Sequence, residues 1–520
     1  MIIPDEDDTQ KIKDQPVATP TIRCPERAAG RRPFSPLPDY ETSQALAFSA
    51  FNDSQVTVVK PPRRRRIIDS RFWRAALLSL FVYIFLTIVI AIPIIVTKKH
   101  ESQEQYPYNS LSYAVPWPNK NTASYYTGNI NNISSPTSSG ATLVCNDWTD
   151  VAALEGTTLV KSWAERYVSP NGEFSITSNA SYMEDFNIVL GDLYVGINPN
   201  DTVQDAVISI TMQSSSPSVF NRTLVCFAIA DNITDLSLYV PDNLSSTDNI
   251  LYNITLLFPQ SDDSSNVGTF ATFLPLFDQM FGSFGDYVTF KKVSIEGPMS
   301  RISVGGLQAD KVLVETSMQP IAGEFYASDT LQISTIQAPI HANITLYNDP
   351  KSAFPTFLEM NTGDNNLMAN ITVLAPNKSP PSRPNFIADL RTFYGTLTTS
   401  LVHDPSSPAT AIKLRAENDL GPSYVTLDQR FEGVFQASTK QAAANVDPGD
   451  LSLGGTDPWS ATAGGNGDSG SRNWVVDFNS TSRVYGWIGW GQRPTYWTVD
   501  QQGEVVVDTS LANVTLSFGG

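Results

Sequence analysis

Histidine and cysteine are nearly missing, with three of each in 520 residues. A zinc centre needs three or four convergent ligands. His100, His341 and His403 are too few and too scattered to build one, and no Cys or Glu cluster accompanies them. So little cysteine also excludes a disulfide-dense scaffold. Basic charge is scarce: Lys and Arg number 34 against 52 Asp and Glu, a net charge of −18. Nucleic-acid binding depends on Lys and Arg neutralising phosphates, so that class is excluded, and the acidity is read as solubility. No G-x-S-x-G nucleophile turn and no EF-hand spacing occurs. Charged residues of both signs reach only 17%, while hydrophobic residues make up 41%. With 35 Pro and 31 Gly to turn the chain, this composition suits a β-rich fold with a Ser/Thr/Asn surface.

Long hydrophobic runs are absent with one exception. Residues Ala75 to Val96 contain no charge. At about 1.5 Å per residue this run reaches about 33 Å, enough for a hydrocarbon core of about 30 Å. Phe72 and Trp73 stand where interfacial aromatics stand, and Pro93 falls in the last turn. The polar start of the chain does not fit a cleaved signal peptide. A transmembrane α-helix over 75–96, acting as an uncleaved anchor, is therefore expected. Arg63, Arg64, Arg65, Arg66, Arg71 and Arg74 precede it and only Lys98, Lys99 and His100 follow it. The positive-inside rule then puts the N-terminus in the cytosol, a type II arrangement in a plasma or secretory-pathway membrane, with the C-terminal part extracellular or lumenal.

Glycosylation sequons are distributed to match. One, at Asn52, precedes the run; twelve follow it, at Asn132, Asn179, Asn200, Asn221, Asn232, Asn243, Asn253, Asn343, Asn370, Asn377, Asn479 and Asn513. Cys24 lies on the cytosolic side of this scheme. Cys145 and Cys226 are the two outside, and they are expected to pair, with two buried thiols as the other reading.

Residues 1–70 have the composition of a disordered tail. Within it, Leu37, Pro38 and Tyr40 form an L-P-x-Y sequence similar to ligands of WW domains, which makes a WW-domain protein a candidate partner beside the lipid bilayer. Residues 97–140 read as a stalk. Residues 141–290 carry short alternating runs, such as Ala206 to Met212, and are expected to form an antiparallel β region. Phe270 to Phe284 reads as a short helix or a loop packed on that sheet.

Residues 291–520 repeat. The run from Glu315 to Phe325 aligns with Ser334 to Ile344, and Ile340 to Thr345 aligns with Leu367 to Thr372; looser copies follow, ending at Leu511 to Leu516. Ile340, Ala342, Ile344 and Leu346 would face inward while His341, Asn343 and Thr345 face solvent. A stack of such units is a β-solenoid, with a β-sandwich as the alternative architecture. Residues 451–471 form a Gly/Ser-rich loop within it. The PIxAxIxL-N pattern, the segment LFDQMFGSFGDYVTFKKVSIEGPMSRISV, the run Gln429 to Phe435 and the tail sequence LPDYETSQAL together resemble an uncharacterised fungal, basidiomycete-type family of single-pass membrane proteins. The resemblance implies an adhesin-like β-solenoid ectodomain. It implies no activity, and it carries over no catalytic residue and no cofactor.

Paired carboxylates are the remaining enzymatic signal. Asp262 with Asp263, Asp447 with Asp450, and Asp364 qualify, but all lie in turn-like segments where Asp is common for local hydrogen bonding, and the same holds for calcium. Trp487, Trp490, Tyr496 and Trp497 form an aromatic cluster, one of whose tryptophans would be core and another free to stack on a sugar. Three functions follow in order. The first is a glycosylated, adhesin-like cell-surface protein with a binding or structural role toward a cell-wall glycan or surface protein. The second is an enzyme that modifies cell-wall polysaccharide. The third is a secretory-pathway trafficking protein.

Overall fold

The structure is a computed structural model that describes residues 142–519 apart from 154, 231, 262–263, 353, 377–383, 409, 450–471 and 494–502. Alternating apolar residues set these segments into strands. The first nine are β1 (Thr142–Cys145), β2 (Asp150–Ala153), β3 (Val160–Val168), β4 (Gly172–Ser178), β5 (Val189–Ile197), β6 (Ala206–Ser214), β7 (Leu224–Ala230), β8 (Ile233–Tyr239) and β9 (Ile250–Phe258). Between β6 and β7 lies a six-residue helix, α1 (Pro217–Arg222), capped by the Ser216 side chain. The middle of the chain supplies β10 (Ser265–Phe273), β11 (Phe277–Ser283), β12 (Val288–Glu296), β13 (Ile302–Glu315), β14 (Ile321–Thr335), β15 (Ile340–Tyr347), β16 (Thr356–Thr362), β17 (Leu367–Leu374), β18 (Phe386–Thr392) and β19 (Leu397–His403). The last part supplies β20 (Ile412–Asn418), β21 (Ser423–Leu427), β22 (Gly433–Thr439), β23 (Ala444–Asp447), β24 (Arg472–Asn479), β25 (Arg483–Trp490), β26 (Gly503–Thr509) and β27 (Val514–Phe518).

Successive strands alternate between two layers, so each pair makes one coil. In the first layer β9, β5, β11, β13, β14, β15, β17, β19, β21, β27 and β23 pair in that order, all parallel. In the second, β8, β4, β10, β12, β13, β14, β16, β18, β20, β26 and β22 pair likewise. The long strands β13 and β14 contribute to both layers. The sequence repeat is the register of this stack: Ile302 pairs with Ile321, Ile321 with Ile340, Ile340 with Leu367, and Leu367 with Leu397.

Both ends depart from chain order. The coil β4–β5 lies inside the later coil β8–β9. At the other end β26–β27, last in the sequence, is inserted between β20–β21 and β22–β23. Antiparallel strands then cover the outer coils: β7 with β1 and β6 with β3 and β2 at one end, and β25 with β24 at the other. An uncovered parallel edge would present unpaired backbone groups to other chains, and these caps cover the edges of β8, β9 and β22. Cys145 and Cys226, directly opposite on β1 and β7, are joined by a disulfide.

The core is a set of ladders between the layers. Ile344, Ile371 and Leu401 stack coil upon coil, and so do Ala342 and Ala369, all buried. Toward the N-terminal end the space is wider and filled by Phe258, Phe270, Phe281, Phe284 and Phe290, which meet edge to face.

Several expectations are corrected. No helix among the described residues is long and apolar enough to cross a membrane. The described chain alternates apolar and polar residues at a period of two and holds one helix of six residues, so it contains no long apolar helical run. The expected span at 75–96, the tail with Leu37, Pro38 and Tyr40, the stalk, Cys24 and His100 lie outside the described residues. The antiparallel region does not extend to residue 290: parallel coils already begin at β4, and antiparallel pairing is confined to the caps. A period of two is the same in parallel and antiparallel strands, so alternation by itself does not reveal strand direction. Phe270 to Phe284, read as helix or loop, forms the end of β10 from Phe270 to Phe273 and the whole of β11, with a turn at 274–276 between them.

Candidate functional site

The outer faces of the two layers differ. On the second layer, charged side chains pair with one another. Glu359 accepts from Gln332 at 2.9 Å, Arg391 bridges Asp389 at 2.5 Å and Glu417 at 3.5 Å, and Arg415 also pairs with Glu417. Lys413 reaches Glu504 at 3.7 Å. Glu359 and Asp389 are neighbours across the β16–β18 ladder, but each is already engaged. On this face the carboxylates Glu359, Asp389, Glu417 and Glu504 are thus each engaged by a neighbouring side chain.

The outer face of the first layer is open. Register lines up Tyr194, Met280, Ser303, Ala322, His341, Met368, Thr398 and Tyr424 on eight adjacent strands. At about 4.8 Å between strands this row is about 34 Å long. Large apolar side chains project from it: Tyr194 is 39% exposed, Met280 56%, Met368 41% and Tyr424 44%. The second row carries Glu324, Asn343 and Asn370, all exposed. Between the rows lies a groove of about 410 Å³ lined by Val304, Gly305, Gly323, Glu324, His341, Ala342, Asn343, Met368 and Asn370.

Glycine makes the groove. A Cβ on Gly323 would stand 2.4 Å from the Val304 carbonyl oxygen, so no other residue lets β14 approach β13 this closely. Farther along, the Tyr194 hydroxyl lies over Gly196 and beside Gly282, where side chains would displace it. At the groove wall Asn370 Nδ2 donates to Asn343 Oδ1 at 3.0 Å. Tyr326 and Tyr347 stack beyond it, with ring centroids 6.2 Å apart. Burial, aided by Tyr347, pushes the Tyr326 hydroxyl up to about 12, so it remains a neutral donor.

The residues singled out from sequence are dispersed. His341 lines the groove, whereas His403 is buried and holds Asp428 through Nδ1 at 2.9 Å. Asp364 is exposed in a bend and Asp447 is exposed at the end of β23, where it is held by the Gly449 N–H at 3.0 Å. Asp262, Asp263, Asp450, Tyr496 and Trp497 lie outside the described residues. Trp487 is buried and Trp490 half-buried. Among the described residues no group of three His, Cys, Asp or Glu could hold a metal ion.

Ten sequon asparagines lie among the described residues, and all ten are exposed: Asn179, Asn200, Asn221, Asn232, Asn243, Asn253, Asn343, Asn370, Asn479 and Asn513. Asn132 and Asn377 lie outside them. Asn200 is held by its own sequon threonine, whose hydroxyl donates to Oδ1 at 2.7 Å. Asn179 has a structural task, since its Nδ2 donates to the Val240 carbonyl at 3.1 Å and its Oδ1 accepts from the Val240 N–H at 2.6 Å.

Sequence reasoning missed Tyr194, Met280 and Glu324. The repeat offset together with side-chain parity would have placed Glu324 beside Asn343. Tyr194 and Met280 had no such signal, because they precede the recognisable repeat.

No family model matches the chain, and no curated protein matches it. Among solved structures it is similar to a protein from Clostridium sporogenes ATCC 15579 provisionally described as a cell adhesion protein. That match has 6% identity, covers 69% of this chain and 99% of the other, and has a TM-score of 0.17, too low to argue from.

Proposed function

We propose that the solenoid is a non-catalytic binding element of a glycoprotein facing the secretory lumen or the cell exterior. It holds an extended polymer, a wall glycan or a chain on a neighbouring surface, along the outer row of the first layer. The observation that carries this reading is the straight row from Tyr194 to Tyr424 beside a glycine-floored groove. Aromatic and thioether groups supply flat apolar contact, while Glu324, His341, Asn343 and Asn370 supply donors and acceptors at strand spacing. The disulfide supports an oxidising compartment. The exposed sequons support passage through the glycosylating pathway.

Binding is preferred to catalysis for a geometric reason. Glycoside hydrolysis by the usual route needs two carboxyl groups about 5–10 Å apart across the scissile bond. The groove lining contains one carboxylate, Glu324.

The test is binding of the full chain to soluble glucan, mannan and chitin fragments and to intact cells. One of these should bind, and Tyr194→Ala should weaken it about tenfold, as loss of an aromatic anchor does. Hydrolysis of any of the polysaccharides, or failure to bind all of them and the cells, overturns the reading. A second reading rests on the sequons at Asn343 and Asn370: a glycan on either would fill the groove and make this face a shielded wall. Glycopeptide mass spectrometry distinguishes the two. The binding reading expects both asparagines unoccupied in a substantial fraction of chains, and full occupancy of either removes it.

A further inference from the structure

Arg472 opens β24 and is 4% exposed. None of its Nε, Nη1 and Nη2 atoms has a hydrogen-bond partner. Directly opposite on β25 is Trp490, whose indole Nε1 is also buried and unpartnered. Residues opposed across an antiparallel pair project from the same side of the sheet. That side is the inner one here, because the next pair inward is Trp474 with Ile488, and Trp474 stacks on Phe435 at 4.5 Å. Two groups that can only donate therefore stand as neighbours on the inner side of the β24–β25 pair.

A nearby carboxylate does not satisfy them. Asp428 is close enough to favour the charged guanidinium, and burial opposes it more strongly, so the Arg472 pKa falls below its usual value. Both oxygens of Asp428 are engaged by His403: Nδ1 lies 2.9 Å from Oδ1, and the backbone N–H donates to Oδ2 at 2.7 Å. Asp428 Oδ1 also accepts from the Arg430 N–H at 3.2 Å. The Arg430 guanidinium, by contrast, is satisfied by the carbonyl oxygens of Asp404, Pro405 and Ser407. A buried, unpaired guanidinium is among the most costly arrangements a fold can keep. What it lacks is an acceptor, and the planar fork of Arg fits a carboxylate with two parallel hydrogen bonds.

We propose that Arg472 and Trp490 form a binding site for the carboxylate of a small ligand such as an acidic sugar. The site is separate from the outer groove, and its test does not depend on that groove's function. The guanidinium takes both carboxylate oxygens, and the indole N–H takes the second lone pair of one of them.

The experiment is thermal unfolding and tryptophan fluorescence of the full chain, titrated at constant ionic strength with acetate, glucuronate, phosphate and neutral glucose. Acetate or glucuronate is expected to raise Tm saturably, and glucose is not. Trp490→Phe should weaken the carboxylate about tenfold, the loss expected for one charge-assisted hydrogen bond, while keeping some response. Arg472→Met should abolish the response and, without ligand, melt no lower than the parent, because it removes an uncompensated charge. Equal shifts with phosphate would reduce the site to a general oxyanion site and overturn the carboxylate assignment. No shift with any anion would overturn the proposal, as would a marked loss of Tm in ligand-free Arg472→Met. If that variant does not fold, an unchanged affinity in Trp490→Phe overturns the indole's role by itself.

Discussion

Asp235 on β8 shows how one side chain sets a pH dependence. Its carboxylate accepts from the hydroxyls of Ser175 and Ser237, the latter at 3.0 Å, yet burial outweighs both bonds and raises its pKa. A raised carboxylate is stabilising when protonated, so stability is full below its unfolded pKa and is lost as pH rises through the folded one. Asp235→Asn should therefore melt higher than the parent at pH 7 and equally at pH 3, as a pair of calorimetric scans would show. A lower melting point at pH 7 would mean that the ionised form is the one the fold prefers. Gly323 acts by size. With the Val304 carbonyl 2.4 Å from where a Cβ would stand, Gly323→Ala must push β14 from β13. A loss of about 1–3 kcal/mol in denaturant unfolding is expected, together with weaker ligand binding in the groove.

Between strands, what decides stability is how each edge is closed. The disulfide fastens β1, an outer strand of four residues, to β7 across 81 residues of sequence. Replacing both cysteines with alanine should cost about 2–5 kcal/mol, the usual effect of removing such a bridge. Hydrogen exchange should quicken in β1 and β7 while β15 to β19 stay protected. Much of the pairing was legible in the sequence. The alignment of Ile321 with Ile340 and of Ile340 with Leu367 is the observed register, and alternation placed Ile344 inside and Asn343 outside. Those positions show because each coil must match its neighbour's apolar side chains to bury them. The first coils were not legible, because Phe258, Phe270 and Phe290 pack as an irregular aromatic group without repeating shapes. Arg472 could not be found either: a single Arg after a Gly/Ser-rich loop reads as surface until its β25 neighbour is known.

At the largest scale the described residues form a stack whose end coils are out of chain order. Thr426 on β21 meets Ser517 on β27 across 91 residues, with their hydroxyls 3.0 Å apart. Deleting residues 503–520 would remove an inner coil, leaving β22 and β23 without the strands β26 and β27 that join them, and the β24–β25 cap carried on β22, to the stack. Loss of a terminal repeat from an ordinary solenoid frays only its end. Here limited proteolysis of the shortened chain should digest everything from β22 onward, while digestion confined to the cut end would show that β22 to β25 hold to the stack by other contacts. The same insertion sets a timetable for synthesis. When β22 and β23 leave the ribosome, the strands they must lie against have not yet been made. The nascent chain therefore waits with the exposed edges of β20 and β21, and a chaperone that shields such edges would be most needed during that interval.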